Sequence, residues 1–452
     1  MVTSSQALAS IGYLLLFAGA AAADFRDVCD ADCESAIRKS LVYDTSNWVN
    51  VDVTLDSFYS NPSNLSDYAV GDLVKWQDIT ATQASKIWTI PAGMSLSRFF
   101  YMSEDIDGKP IPATAFALRI LLEMTSLSVP WHGHTVPQEC APTNHKALYY
   151  EWEGVFPLAQ AGYAVIAPDY AGLGSDIPQG FMYEAGALHA ADVSHALKAA
   201  RAALGERLSK EWAVIGHSEG GLTAWRTNER EAQDGKASGG FLGAVSVAPA
   251  LQPLSLIPES FERANGDPVG DVVSVYCLQS VSKLYSSIKV EDYVSDIVAS
   301  LIPTSDKGCL PTGGTVFGQL TVEQLYKNTS WLTHPDLVDW QTRYNGAGPH
   351  ALAAPMLVVQ GVNDTLTYSH TMEEDFDATC KSFPESSSEL LLYPELDHDP
   401  AFQAAQVDYL PWLADRFNKV PVKQGCSKRT IGPATTHPAL TLQSWSGTVQ
   451  AG

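Results

Sequence analysis

The stretch Trp212–Gly221, which reads WAVIGHSEGG, carries the strongest structural signal in this 452-residue sequence. Its first four residues are apolar, which predicts a buried strand, and the pattern that follows predicts a helix from Gly220 to Glu229. A chain that passes directly from a strand into a helix must turn sharply, and glycines prevent collisions with the neighbouring backbone. The sequence therefore predicts that Ser218 is exposed on a tight turn between a strand and a helix.

Strands and helices alternate on both sides of this turn. The other predicted strands are Ala113–Leu122, Ser126–Pro130, Ala164–Pro168, Gly243–Ala248, Pro355–Val359 and Glu389–Tyr393. The other predicted helices are Tyr149–Ala161, Glu184–Leu204, Glu373–Cys380 and Ala401–Phe417. Strands that alternate with helices are typical of the α/β class, with a mostly parallel sheet covered on both faces.

The alternation is interrupted between residues 251 and 352, where amphipathic stretches replace it. An insertion of this length after a sheet strand indicates a helical cap over the strand ends, and an independent second domain is the alternative. We predict a first core part at 24–250, with an irregular N-terminal arm to Asn61, and the cap at 251–352. The second core part is predicted at 353–420 and a C-terminal tail at 421–452.

The N-terminal segment and the net charge of the chain indicate the localisation of the protein and the classes of partner that it excludes. Residues 1–23 hold a short apolar run that closes with Ala21-Ala22-Ala23, which predicts a secretory signal peptide rather than a membrane anchor. No later run reaches the ~18 apolar residues that span a bilayer. The chain has 28 Lys and Arg against 51 Asp and Glu, a net charge of −23, which repels nucleic acid. We expect a secreted monomer without nucleic-acid partners or an integral membrane segment.

Seven cysteines suit an oxidising compartment, and their odd number leaves one thiol unpaired. No paired Cys or HExxH pattern predicts a zinc site. The His132-Gly133-His134 segment has no acidic ligand at suitable spacing, so we expect no metal. Sequons for N-glycosylation occur at Asn64, Asn328 and Asn363.

Two further residues follow Ser218 in the order that a nucleophile, acid and base arrangement requires. Asp364 comes directly after the predicted strand Pro355–Val359, and His398 comes after Glu389–Tyr393. Because parallel strands end at one edge of the sheet, all three residues are expected at the same rim. His398 would accept the Ser218 proton, and Asp364 would orient the imidazole. Taken singly, Asp364 could be a turn residue and His398 a surface residue. Because Ser218, Asp364 and His398 each follow a predicted strand and occur in the required order, together they favour a catalytic triad.

The negative charge that develops on a substrate oxygen needs two backbone N–H donors. One is expected from Glu219, immediately after the nucleophile, and the other from the loop that holds Gly133 and His134. Gly133 allows the backbone to approach a ligand closely. This chemistry requires no cofactor.

At these residues the sequence resembles the α/β-hydrolase superfamily, and more narrowly the secreted fungal lipases of the yeast lipase A type. The similarity covers about Ala113 to Gly432, and it rests on the turn around Ser218, the long cap and four further segments: Cys140-Ala141-Pro142, Gly162–Asp169, Gly308–Pro311 and the Cys380/Cys426 pair around His398. The resemblance implies the triad Ser218, Asp364 and His398, and the disulfides Cys140–Cys309 and Cys380–Cys426. Cys29 would then pair with Cys33, and Cys277 would stay free.

The resemblance implies a serine hydrolase that cleaves carboxylic esters of small molecules or lipids through an acyl-enzyme. The sequence departs from that family at His134, where the family carries an aspartate, and at Glu219, whose charge favours a broader esterase over a triglyceride lipase. One alternative is a secreted peptidase of prolyl-aminopeptidase type, with Glu291, Asp292 and Asp296 as candidates to hold a substrate ammonium. Another is a non-catalytic binding protein on a hydrolase fold.

Overall fold

The computed structural model describes residues 29–120, 124–128, 137–148, 154–233, 235, 238–270 and 272–432, with the backbone alone at 120 and 124–128. The predicted signal peptide, Gly133 and His134 lie outside these residues. Within the described ranges, no helix combines the length and the apolar character that crossing a bilayer requires.

A single ten-stranded sheet forms the centre of the molecule. Its strands, in chain order, are β1 (Leu73–Asp78), β2 (Met94–Glu104), β3 (Pro110–Ile120), β4 (Met124–Ser128), β5 (Tyr163–Pro168), β6 (Leu208–His217), β7 (Phe241–Val247), β8 (Met356–Gly361), β9 (Ser387–Tyr393) and β10 (Gly425–Thr430). They lie side by side in the order β1-β2-β3-β5-β4-β6-β7-β8-β9-β10. The pairs β1–β2, β2–β3 and β3–β5 are antiparallel. All the other neighbouring pairs in the sheet are parallel.

Helices cover both faces of this sheet. In chain order they are α1 (Ala31–Asn47), α2 (Ala81–Ile87), α3 (Val155–Gln160), α4 (Gly186–Leu204), α5 (Glu219–Gln233), α6 (Pro253–Ala264), α7 (Val273–Leu284), α8 (Val290–Tyr293), α9 (Asp296–Ser305), α10 (Leu310–Phe317), α11 (Val322–Leu325), α12 (Pro335–Trp340), α13 (Ser369–Ser382), α14 (His398–Ala404) and α15 (Gln406–Phe417). Neighbouring residues of β6 point to opposite faces. Val214 belongs to an apolar cluster that includes residues of α4 and α5, whereas Ile215 belongs to a second cluster that includes residues of α3, α14 and α15. The predicted α/β class and its double-sided sheet are confirmed.

The N-terminal arm differs from its prediction as irregular chain, because residues Ala31–Asn47 form α1. Asp30 caps this helix, since its side chain accepts the backbone N–H groups of Asp32 and Cys33. The helix is mostly polar and has few apolar residues to indicate helical periodicity, so its amphipathic signal is weak. Within the predicted C-terminal tail at 421–452, Gly425–Thr430 forms β10, which pairs with β9 along six residues.

The segment 251–352 lies between β7 and β8 and contains α6–α12, followed by a π-helical turn at Gln341–Asn345. It contacts the sheet-bearing part of the chain through buried polar groups. The backbone N–H of Tyr183 donates to Ser280 Oγ at 2.7 Å, and Arg226 Nε donates to the carbonyl oxygen of Asn345 at 3.0 Å. The assignment of this segment as a cap remains a prediction.

Three disulfides connect these parts. Cys140 pairs with Cys309 and Cys380 with Cys426, which are the two pairings that the resemblance implied. Cys29 pairs with Cys33, as expected for two neighbouring cysteines that those pairings leave over. Cys277 is buried on α7 and takes part in none of these three disulfides. The Cys140–Cys309 bridge joins the loop after β4 to the start of α10, and it therefore ties segment 251–352 to the core.

Removing the Cys140–Cys309 bridge by a double serine substitution is expected to lower the free energy of unfolding by about 4–5 kcal/mol. The bridge closes a span of 169 residues, and a cross-link restricts the unfolded chain more when the span is longer. Urea unfolding monitored by circular dichroism measures the change. The Cys29→Ser/Cys33→Ser variant is the matched control, because its span of 4 residues predicts only about 2 kcal/mol. Equal losses in the two variants would contradict this explanation.

Candidate active site

The turn after β6 places Ser218 at the start of α5. Its backbone has φ of 59°, in the left-handed region that residues other than glycine rarely adopt. Two of the glycines around it, Gly216 and Gly221, have no room for a side chain. A Cβ at Gly216 would lie 2.0 Å from the carbonyl oxygen of Gly220, and one at Gly221 would lie 2.4 Å from that of Val247. The sequence thus holds Ser218 in a strained turn at the carboxyl end of β6.

Asp364 lies in the loop after β8 and is buried. Its Oδ1 accepts the backbone N–H groups of Leu366 at 2.9 Å and Thr367 at 2.7 Å, and its Oδ2 accepts Gln360 Nε2 at 2.9 Å. Burial acts to raise the pKa of this carboxyl, but the charge of His398 and these hydrogen bonds outweigh it and lower the pKa below the ordinary value. Asp364 is therefore an ionised, fixed acceptor.

His398 opens α14, in the loop region beyond β9, and its ring contacts Asp364 directly. His398 Nδ1 lies 2.8 Å from Asp364 Oδ2. Burial acts to lower the pKa of the imidazole, but the charge and hydrogen bond of Asp364, together with Asp399 and Asp397, raise it to about 9. The carboxylates around the ring thus stabilise the protonated imidazole.

His217 brings the turn around Ser218 against His398. Its Nε2 lies 3.2 Å from the carbonyl oxygen of His398, and the centroids of the two rings are 4.6 Å apart. His217 also stacks on Phe402 of α14, with centroids 5.2 Å apart. Within the part of the chain that the structure describes, no hydrogen bond involves Ser218 Oγ. The structure therefore brings together Asp364, His398 and the turn that carries Ser218.

Comparison with protein families matches residues 131–408, more than half of the chain, to the alpha/beta hydrolase family. The chain belongs to the α/β hydrolase family. A search of curated proteins finds no match to this α/β hydrolase.

Solved structures share its fold at low sequence identity. The closed state of lipase A from Candida antarctica is 15% identical, with a TM-score of 0.68 over 86% of this chain and 91% of that one. A mutant of the rice cell wall degrading esterase LipA from Xanthomonas oryzae is 18% identical, with a TM-score of 0.61 over 77% and 100% of the two chains. A putative hydrolase from Legionella pneumophila is 14% identical, with a TM-score of 0.62 over 78% and 100%.

In this α/β hydrolase the charged side chain of Glu219 is buried in the core. The sequence had suggested instead that its charge would make the acyl site less apolar. The Glu219 side chain is fully buried, and its Oε1 accepts the backbone N–H of Glu184 at 2.8 Å and lies 3.6 Å from His189 Nδ1. Because the carboxylate is occupied inside the core, its charge is no argument against an apolar acyl site. The Glu219 N–H lies in the first turn of α5, where helices offer backbone donors.

Asp397 is a residue of this α/β hydrolase that the sequence analysis missed. Its Oδ1 accepts the backbone N–H of His398 at 2.8 Å and the backbone N–H of Thr365 at 3.0 Å. Thr365 directly follows Asp364, so the Asp397 carboxylate connects the loop that holds Asp364 to the helix that begins at His398. The Asp397-His398-Asp399 sequence was the available signal, since an aspartate directly before a helix is a common N-cap.

Replacing Asp397 by alanine is expected to lower kcat by up to about 100-fold with a smaller change in KM. Without this carboxylate the loop of Asp364 and the start of α14 lose their common acceptor, and displacements near 1 Å cost rates of that size. Steady-state kinetics on an ester substrate measure the effect. The Asp397→Asn variant keeps one acceptor oxygen and should recover most of the loss. An alanine variant with unchanged kcat would contradict the positioning role.

Other predicted residues lie on the surface of the α/β hydrolase. Asn64, Asn328 and Asn363 are exposed, so glycosylation at these positions remains a prediction. Of the acidic residues considered for a substrate ammonium, Glu291 and Asp292 are exposed on α8. Asp296 forms an ion pair with Lys327 at 2.9 Å.

Proposed function

We propose that the protein is a serine hydrolase that cleaves carboxylic esters through Ser218, His398 and Asp364. The observation that carries the proposal is the 2.8 Å contact of His398 Nδ1 with Asp364 Oδ2, beside a strained turn that presents Ser218. An acid, a base and a serine in this chain order are the components of acyl transfer on an α/β-hydrolase fold.

In the proposed first step, His398 Nε2 takes the proton of Ser218 Oγ while the oxygen attacks the ester carbonyl carbon. The resulting oxyanion would accept the N–H of Glu219 and one from Gly133 or His134. The imidazolium then gives its proton to the departing alcohol, and the acyl group stays on Ser218. In the second step His398 activates a water molecule, which releases the acid and restores the serine. Transfer of the acyl group to another alcohol would follow the same route if water were excluded.

The lipase from Candida antarctica and the esterase from Xanthomonas oryzae support an ester substrate by analogy of fold. The peptidase alternative needs an acidic residue that faces the substrate ammonium. Glu291 and Asp292 are exposed to solvent, and Asp296 is already paired with Lys327, so none of the three supports that alternative.

Export to the extracellular space belongs to the same proposal. Three disulfides in one chain support an oxidising compartment, because cytosolic proteins keep most thiols reduced. The apolar run within residues 1–23 supplies the signal for export. Mass spectrometry of protein secreted by a eukaryotic host would locate the new N-terminus, which we expect at Asp24.

Hydrolysis of p-nitrophenyl esters from acetate to palmitate, alongside a prolyl anilide, tests the function. We expect turnover of esters and none of the anilide, and the dependence on acyl length separates an esterase from a lipase. Anilide cleavage without ester turnover would favour the peptidase. A folded protein that cleaves neither would favour the non-catalytic alternative.

A further inference from the structure

Three side chains with metal-binding atoms meet beside the proposed base. They are His217, His398 and Asp399, and their candidate ligand atoms all lie within 4.8 Å of one another. His217 Nε2 and Asp399 Oδ1 are 3.8 Å apart. The sequence carries no ligand spacing that signals this cluster, because His217 and Asp399 are far apart along the chain.

We infer that His217, His398 and Asp399 form a binding site for one divalent transition-metal ion such as Zn²⁺. Two imidazoles and one carboxylate form a ligand set that this class of ion prefers, and a fourth position would stay open to water. Binding at this cluster does not depend on the proposed function, whereas the inhibition argued below does.

His398 is already oriented as a metal ligand. Its Nδ1 contacts Asp364 Oδ2 at 2.8 Å, which leaves Nε2 as the ligand atom. A carboxylate behind the ring fixes the tautomer and makes the opposite nitrogen a better ligand, as metal-binding histidines in general require. Asp364 would therefore support metal binding by the same contact through which it orients the base.

Asp399 can complete the set by a small movement. Among the described residues no hydrogen bond holds its carboxylate, and 37% of its side chain is exposed. Zinc lies about 2.0–2.2 Å from nitrogen and oxygen ligands, so ligand atoms in a tetrahedral site are about 3.3 Å apart. His217 Nε2 and Asp399 Oδ1 are 3.8 Å apart and must therefore approach by only about 0.5 Å, which rotation of a partly exposed side chain can supply.

His217 contributes from the opposite side. Its ring is held by stacking on Phe402, and its Nε2 lies between the His398 carbonyl oxygen, at 3.2 Å, and Asp399 Oδ1. Coordination would replace the hydrogen bond to that carbonyl by a bond to the ion. The metal would then occupy His398 Nε2, the atom that must accept the Ser218 proton. Bound Zn²⁺ should consequently inhibit ester hydrolysis.

Isothermal titration with zinc chloride tests binding on the full chain, with any affinity tag removed and chelator dialysed away. The Ser218→Ala protein serves as the parent, so the result is independent of turnover. We expect one Zn²⁺ per chain. Asp399→Asn should weaken binding by at least about 10- to 100-fold, and His217→Phe, which preserves the stacking on Phe402, by a similar factor. Glu374→Gln, an exposed acid on α13, is the matched control and should bind like the parent.

The proposed site would be overturned if the parent showed no saturable Zn²⁺ binding. It would also be overturned if the Asp399→Asn and His217→Phe variants both bound Zn²⁺ like the parent. In the wild-type protein, Zn²⁺ should lower ester turnover and a chelator should restore it. The Asp399→Asn variant should need at least about tenfold more Zn²⁺ for half-inhibition. Zinc that binds without inhibiting an active enzyme would overturn the assignment of His398 Nε2 as a ligand. A protein that binds zinc but has no ester turnover would contradict the proposed function and leave the metal site standing.

Discussion

Ser218→Ala is expected to lower kcat for ester hydrolysis by about 10⁶-fold, the size of loss seen when a serine nucleophile is removed from a triad. Alanine has no oxygen that could attack the carbonyl carbon or hold the acyl group. The remaining rate would come from the oxyanion donors and from substrate binding alone. KM should change much less than kcat, because the hydroxyl group bonds to the substrate only as the reaction proceeds.

The same assay on the Ser300→Ala variant shows whether removing a serine hydroxyl outside the proposed site changes the activity. Ser300 is exposed on α9, and its hydroxyl donates to the carbonyl oxygen of Ile297 within the same helix. That variant should keep full activity. Thermal unfolding of Ser218→Ala should show a folded protein. A folded Ser218→Ala variant that retains a tenth of the wild-type activity would contradict the role of Ser218.

Asp364→Asn is expected to lower kcat by about 10⁴-fold, although asparagine has nearly the same shape. The amide Oδ1 could still accept the N–H groups of Leu366 and Thr367, so the loop should keep its conformation. The amide would instead present either a weaker acceptor or a donor to His398 Nδ1. It would also remove the negative charge that stabilises the imidazolium, and the pKa of His398 would fall as a result.

Kinetics on a short-chain ester measure this loss, with Asp377→Asn as the matched control. Asp377 lies on the exposed side of α13, where it forms an ion pair with Lys428. That substitution removes a surface ion pair and should leave kcat within about twofold, because exposed ion pairs contribute little. If the Asp364→Asn variant were as active as this control, the result would contradict the proposal that the contact with Asp364 orients His398.

The sequence could predict those site residues whose positions are determined by the carboxyl ends of strands. Trp212–Gly221 signals its strand and turn by composition, and Asp364 and His398 each follow an apolar strand. Since parallel strands end at one edge, chain order was enough to place these residues at one rim. In the structure Asp364 and His398 are in direct contact, and His217 of the turn lies beside His398.

Sequence could not predict contacts that depend on side-chain packing between distant segments. Asp397 connects to Thr365 across two loops, and Glu219 turns inward to the backbone of Glu184. Neither contact has a local pattern. The strands β1 and β2 were missed because they pair antiparallel at the sheet edge, outside the alternation of strands and helices. The strand β10 carries polar residues with only a weak strand pattern, and pairing with β9 determines its conformation.

The most direct test of the account is to label the protein with a fluorophosphonate and locate the adduct by peptide mass spectrometry. These reagents transfer a phosphonyl group to a serine whose proton a neighbouring base removes. We predict one adduct per chain, on Ser218, absent in Ser218→Ala and formed far more slowly in His398→Ala. An adduct on another serine that accompanies loss of ester turnover, or an ester-cleaving protein that takes no label, would contradict Ser218 as the nucleophile.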